Sequence, residues 1–506
     1  MRSSPPKADD RTSSFVRVIL LGWFALTIGA LLLMRAANMP LGQGSFVYQF
    51  SQMQGERMAR ALWLAPIAAL AALAIALSAR RRKLAALIGV AVIVLLGAWT
   101  LLAPKTAIVQ HSFNLRSPSQ DGAFVNELYE MTSLRDYLRG FDARIQRTPA
   151  ELRGTRVISN PPGTTILFYT VAHYWSADVK SPGWLERFLQ RHHNVNDDAL
   201  LSTMLTVQLA VLLTALWALA AVALYRASRL LLPPAGAMLC VLIAWFNPST
   251  AHFVPGKDPV QLLTVGLLMW TWLAAWKRDR PLLAFVAGAV LLLGATLGLI
   301  HVWVAAALIG ACAWDTLARR QSIVRFATHL LLPFAAGAVA FVLLVYLLAD
   351  WNLAKTLFTV WRRFAQIQQQ LALNHNIWLA IGLPLFLLFL SPAIVLFGAL
   401  SIRRRRSLNF GARLAIVTVI VMAISYFAGV SYELPRLWVV FLPPLTLGLL
   451  SAAPLGSVRH EGRVARSAMW IAIVHILFTA AHWSMLDARE SEHRLSGPEP
   501  TFFGKT

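Results

Sequence analysis

PLLAFVAGAVLLLGATLGLIHVWVAAALIGACAW, residues 281–314, runs for 34 residues without an acid, lysine or arginine. As one helix at about 1.5 Å per residue it would be about 51 Å long, against about 30 Å of bilayer hydrocarbon. The run therefore reads as two crossings with a tight turn near residues 298–301. The charges downstream agree. Two crossings leave Arg319, Arg320 and Arg325 on the side of the earlier basic clusters, as the positive-inside rule requires. One crossing would invert them and every later cluster.

Working outward from 281–314, similar runs recur along the 506 residues. They lie at about 15–34, 61–77, 84–102, 199–225, 231–246, 260–276, 326–348, 378–400, 411–428, 437–453 and 468–484. With the pair in 281–314 the expectation is an all-α polytopic membrane protein of about 13 transmembrane helices. Only 14% of the residues are charged and 57% are hydrophobic, against about 25% charged in an average soluble chain. The formal net charge is +23, from 46 basic and 23 acidic residues. Those basic residues sit in short groups between apolar runs, such as Arg80–Lys83 and Arg403–Arg406. That placement reads as topology signals and contact with membrane lipids, not as a nucleic-acid surface. Arg35, Arg57 and Arg60 in the first outer loop run against the rule. Cys240 and Cys312 both lie inside apolar runs, so a disulfide framework is not expected.

The charge pattern gives residues 1–14, with Arg2, Lys7 and Arg11, as a cytoplasmic tail. Residues 15–484 form the transmembrane domain, and 485–506 a mobile outer tail. Within the domain, 104–198 is the longest polar interval and falls on the outer (periplasmic) side.

That interval holds QDGAFVNELYEMTSLRDYLRGFD at 120–142. Phe124, Leu128, Met131, Leu134, Leu138 and Phe141 recur at helical spacing, so one amphipathic helix lying in the membrane interface is expected. Asn126, Glu127, Glu130, Arg135, Asp136 and Arg139 fall on its other face. Glu127 and Asp136 read as solvated, with Arg135 and Arg139 as partners. Residues 182–193 read as a second, shorter interfacial helix. Residues 166–175 are apolar but too short to span, and suit a buried or re-entrant segment. Asp121 precedes the first helix and has two compatible readings: a helix N-cap, or a carboxylate placed for proton transfer. Pro161-Pro162-Gly163 is a stiff turn in which Gly163 permits close backbone approach.

Outside the long loop the outer face carries few cations: Lys257, Arg362, Arg363 and Arg436. Lys257 adjoins Asp258, and Arg436 lies three residues after Glu433. Each pair reads either as a local ion pair or as part of an anion site, since arginine matches phosphate geometry. His252, His301 and His375 also fall outside, but their separations give no ligand spacing, so no cofactor is expected, a divalent metal being the lesser alternative.

The order D-G-A-F, an amphipathic helix, then S-N-P-P-G-T-T-I-L-F-Y resembles the GT-C superfamily of membrane glycosyltransferases. The nearest branches are the bacterial protein-mannosyltransferase-like and aminoarabinose-transferase-like ones. The later Gly429 through Arg436-Leu437-Trp438 pattern is similar to those chains as well. Gly122 stands where many members carry a second acid, and Asn160 where many carry histidine. The resemblance implies sugar transfer from a polyprenyl-phosphate donor to a lipid, glycan or protein acceptor. It implies Asp121 as the base, at the outer face of a bacterial inner membrane. The substrate site expected around it is Asn160, Gly163, His252, Lys257, Asp258, Glu433 and Arg436. A transporter or flippase of a lipid-linked saccharide and a non-enzymatic scaffold are the competing readings. The gathering of carboxylates at one surface, away from mid-span, argues against transport.

Overall fold

The computed structural model describes residues 8–39, 41–43, 46–50, 121–148, 151–152, 156–173, 197–370, 375–403, 408–430, 433–453 and 461–487, with isolated positions between 67 and 115 and at 187 and 190. Among them the chain is a bundle of apolar helices. Eight are long and apolar enough to cross a membrane: Ser14–Ala36, Thr203–Ser228, Lys257–Arg278, His301–Ala318, Ile323–Ala349, Phe410–Phe427, Leu434–Ala452 and Ala468–Met485. Two shorter apolar helices, Pro234–Trp245 and Pro281–Leu297, stand among them. The runs expected at 61–77 and 84–102 lie almost wholly outside the described residues, as does the interfacial helix expected at 182–193.

Leucine and phenylalanine on the outside of this bundle show what solvent it is built for. Leu33, Leu282, Leu347, Leu348 and Phe427 are 72–77% exposed. In water such a surface costs roughly 25 cal/mol for each Å² of apolar area, whereas lipid tails accept it. This is a multi-pass membrane protein.

The 281–314 run divides where its length requires. One helix ends at Leu297 and the next begins at His301. Inside a bilayer, helices gain little from hydrophobic burial against one another, so close backbone approach becomes the main source of cohesion. Pro281–Leu297 and Leu332–Ala349 show it. A Cβ on Gly288 would lie 1.9 Å from the Phe334 carbonyl oxygen, and one on Gly337 would lie 1.8 Å from that of Phe285. Only glycine fits either place.

Three regions differ from the sequence reading. The first helix begins at Ala8, so part of the expected polar tail is helical. The 378–400 run is not one straight span: Ile377–Phe389 and Pro392–Ile402 meet at 99°. Pro392 cannot donate a backbone hydrogen bond and disfavours helix before it, so the chain turns at Ser391. There the Ser391 hydroxyl and His475 Nδ1 lie 2.6 Å apart. Finally, residues 353–370, which lie between the runs expected at 326–348 and 378–400, form an amphipathic helix. Its Leu353, Val360 and Ile367 share a core with Phe124, Phe141, Ile145, Val157, Ile158 and Phe168 of the long loop. Its Arg363 Nε donates to the Ile145 carbonyl at 3.0 Å.

A small antiparallel ribbon, Leu41–Gln43 with Phe46–Phe50, joins Leu486–Asp487 beside the last helix. At the far ends of the Lys257 and His301 helices, fully buried Asp315 pairs with Arg413 and, at 2.6 Å, with Arg319.

Candidate active site

The amphipathic stretch after Asp121 is two helices, Gly122–Tyr129 and Leu134–Arg144. The break is written in Ser133 and Asp136. The Ser133 side chain accepts from the Asp136 backbone N–H at 3.1 Å and starts a new helix. Tyr137 and Arg144 of the second helix reach back to the first, and Glu127 is buried instead of solvated. Glu127 receives the Tyr137 hydroxyl at 3.0 Å and the Arg144 guanidinium, whose Nη2 also donates to Glu130 at 2.7 Å. Burial opposes the Arg144 charge, but the hydrogen bonds to Glu127 and Glu130 outweigh it and raise its pKa. Burial, and then the Glu127 charge, push the Tyr137 phenol well above its ordinary value. Asp136 pairs locally with Ser133, 2.6 Å away.

Asp121 stands at the N-cap of Gly122–Tyr129, yet its side chain makes no cap. Its backbone carbonyl takes the first helical N–H groups, from Phe124 and Val125. The carboxylate is left to reach elsewhere. Arg156 Nη1 donates to Oδ1 at 2.7 Å, and the Lys257 backbone N–H donates to Oδ2 at 2.8 Å. That N–H opens the 22-residue Lys257–Arg278 helix. The positive end of the helix dipole adds to the attraction.

From Lys257 the network continues. Its Nζ donates to Asn160 Oδ1, and to the Leu297 carbonyl at 3.2 Å. It lies 3.7 Å from Asp258 Oδ1 and 5.7 Å from the centre of the Phe124 ring. Asn160 Nδ2 donates to the Arg156 carbonyl at 2.8 Å. Asp258 accepts from Gln261 Nε2 at 2.9 Å and pairs through Oδ2 with Arg436 Nε. Arg436 Nη1 then meets Glu433 at 3.3 Å, and its guanidinium lies 5.4 Å from the Phe253 ring centre. Segments from 121, 156–160, 257–261, 297 and 433–436 thus meet in one connected set. All of it sits at one end of the bundle. Arg278, at the other end of the Lys257 helix, is about 32 Å away by helical rise.

Of the expected site residues, Asp121, Asn160, Lys257, Asp258, Glu433 and Arg436 come together here. The close approach that Gly163 permits is to a helix. A Cβ there would lie 2.5 Å from both the carbonyl and the hydroxyl oxygen of Thr296. His252 turns its Nε2 to His482 Nδ1, 3.0 Å away, beside Phe389. His301 bonds Thr264 at 2.7 Å and the Gly298 carbonyl at 2.8 Å. Among the described residues no three acidic, histidine or cysteine side chains are grouped to hold a metal ion. Arg362 stacks on Phe358 instead, at 4.2 Å.

Arg156 is the member the sequence reading missed. It lies inside the long loop, where the sequence pairs only Arg135 and Arg139 with acids and does not single out Arg156. The signal was RVISN: Arg156 and Asn160 are one helical turn apart, so both face the same way.

Buried charges are retained in proteins only when paired and hydrogen-bonded. This set satisfies that condition, and it gathers three carboxylates, two guanidinium groups and an ammonium at one end of the bundle. Chemically, the arrangement can accept a proton at Asp121 and hold an anion at Lys257 and Arg436. No protein-family model matches the chain, and comparison with curated proteins finds no match.

Proposed function

We propose that this protein transfers a sugar from a polyprenyl-phosphate donor to an acceptor hydroxyl at the outer face of a membrane. The observation that carries the reading is the Asp121–Lys257 contact. It ties a loop carboxylate to a cation cluster at the end of an apolar helix, where the head group of a long-chain lipid phosphate would lie. The acceptor oxygen attacks the anomeric carbon, the bond from that carbon to the phosphate oxygen breaks, and the lipid phosphate leaves. Asp121 takes the acceptor proton. Lys257 and Arg436 stabilise the charge that develops on the departing phosphate. The resemblance to GT-C enzymes supports the same roles, with about 13 spans, a cytoplasmic N-terminus and a bacterial inner membrane.

A second reading, movement of a lipid-linked saccharide across the bilayer, draws on the 99° bend between Ile377–Phe389 and Pro392–Ile402. Transporters often build their sites from such interrupted helices. Reconstitution of the purified chain separates the two. With polyprenyl-phosphate sugars outside the vesicle, a transferase yields free polyprenyl phosphate and a glycosylated acceptor. A flippase moves the lipid inward without cleaving it. Comparison of glycolipids from host cells with and without the gene identifies which sugar to supply.

A further inference from the structure

At the end of the bundle away from Asp121, two segments face each other. One is residues 277–282, where the Lys257 helix ends and the Pro281–Leu297 helix begins. The other is residues 317–325, between the His301 helix and the Ile323–Ala349 span. Both are exposed throughout. Two contacts join them: the Arg319 guanidinium lies 5.9 Å from the Trp276 ring centre, and Arg325 pairs with Asp279. The two helices close on residues with left-handed backbone, Asp279 at φ 49° and Arg320 at φ 55°. The chain therefore turns sharply at both ends and keeps its charges at one level.

The acids nearest in sequence are already taken, Asp279 by Arg325 and Asp315 by Arg319 and Arg413. Among the described residues the side chains of Arg278, Arg280 and Arg320 make no hydrogen bond or ion pair. Leu282 and Val324, 68–72% exposed, open the two neighbouring helices just beyond them. A topology signal needs only positive charge on the right side of the bilayer. It does not need guanidinium groups left unpaired beside exposed aliphatic side chains. That combination offers cations at head-group depth and apolar surface where acyl chains begin. Arginine also matches the geometry of a phosphodiester.

We infer that residues 277–282 and 317–325 form a seat for a phospholipid of net negative charge. Its head group lies among Arg278, Arg280 and Arg320, and its acyl chains start beside Leu282 and Val324. The inference is independent of sugar transfer and gives this end of the bundle a ligand of its own. A lipid held there ties the end of the Lys257 helix to the end of the His301 helix.

The test uses the full-length protein in nanodiscs holding phosphatidylglycerol and phosphatidylcholine in equal amounts. Native mass spectrometry then counts which lipids stay bound. Both lipids carry the phosphodiester, so a preference reads net charge. The native chain is expected to retain phosphatidylglycerol. R280Q and R320Q are each expected to lower that preference about five-fold, the effect of one arginine beside an anionic head group. R135Q removes one exposed charge from the Leu134–Arg144 helix and is expected to leave the preference unchanged. Equal retention of the two lipids by the native chain would overturn the seat. Equal losses in R135Q, R280Q and R320Q would show diffuse attraction and overturn it as well. Soluble glycerophosphoglycerol, added as competitor, is expected to leave the lipid in place. Displacement by it would show a site for a free anion, and the lipid assignment would fall.

Discussion

Asp121 and Arg156 stand 35 positions apart in the chain and 2.7 Å apart in space, with both side chains nearly withdrawn from solvent. The pair joins the start of the Gly122–Tyr129 helix to the segment before Pro161. It also fixes the carboxylate against the first N–H of the Lys257 helix.

Breaking this pair from one side leaves a buried charge exposed to apolar surroundings. R156Q is expected to lose about 3–5 kcal/mol of stability. Changing both partners, in D121N/R156Q, is expected to restore most of it. Thermal unfolding in detergent, run as a double-mutant cycle, checks this. Additive losses would show that the two residues are not coupled.

Glu127 and Arg144 hold the two loop helices together away from the Asp121 network. R144M is expected to leave Glu127 buried without its cation, with only the Tyr137 hydroxyl as partner, and a loss of about 3–5 kcal/mol. E127Q/R144M, which removes both charges, recovers much of that. Limited proteolysis between the two helices, near residues 130–133, is the readout.

Tyr137 extends the same cluster into a pH dependence. Its folded pKa lies well above the ordinary tyrosine value of about 10. Stability from the neutral phenol is therefore fully present below about pH 10 and is lost as pH rises through the folded value. Alkaline unfolding followed by circular dichroism should begin at a higher pH in Y137F, which carries no ionisable group there. An unchanged midpoint would exclude Tyr137 as a contributor.

Gly163 packs on Thr296 with no room for a Cβ. G163V is expected to cost about 1–3 kcal/mol through overpacking. T296A should not rescue it, because the backbone carbonyl of Thr296 blocks the same space as the hydroxyl.

Much of this was readable from the residues because charge is scarce in the chain. Lys257, Asp258, Glu433 and Arg436 stood out against apolar runs, and a bilayer gathers such groups at its edges. The 34-residue run forced its own division by length alone. Arg156 did not stand out, since the long loop holds many cations and only tertiary contact selects one. Glu127 reads as solvated on the single continuous helix that the periodicity of 124–141 suggests. The Ser133 cap in S-L-R-D starts a second helix, whose Tyr137 and Arg144 bond the buried acid. The bend at Ser391-Pro392 was hidden by hydropathy, which does not register direction.

Asp121 is the proposed acceptor of the proton. The charge-balanced D121N/R156Q variant tests it without leaving a buried charge unpaired. The measurement is release of polyprenyl phosphate from a polyprenyl-phosphate sugar by the reconstituted protein. A folded variant slower than the native chain by about 10²-fold or more is the predicted result. A folded variant that transfers sugar at the native rate would contradict the account.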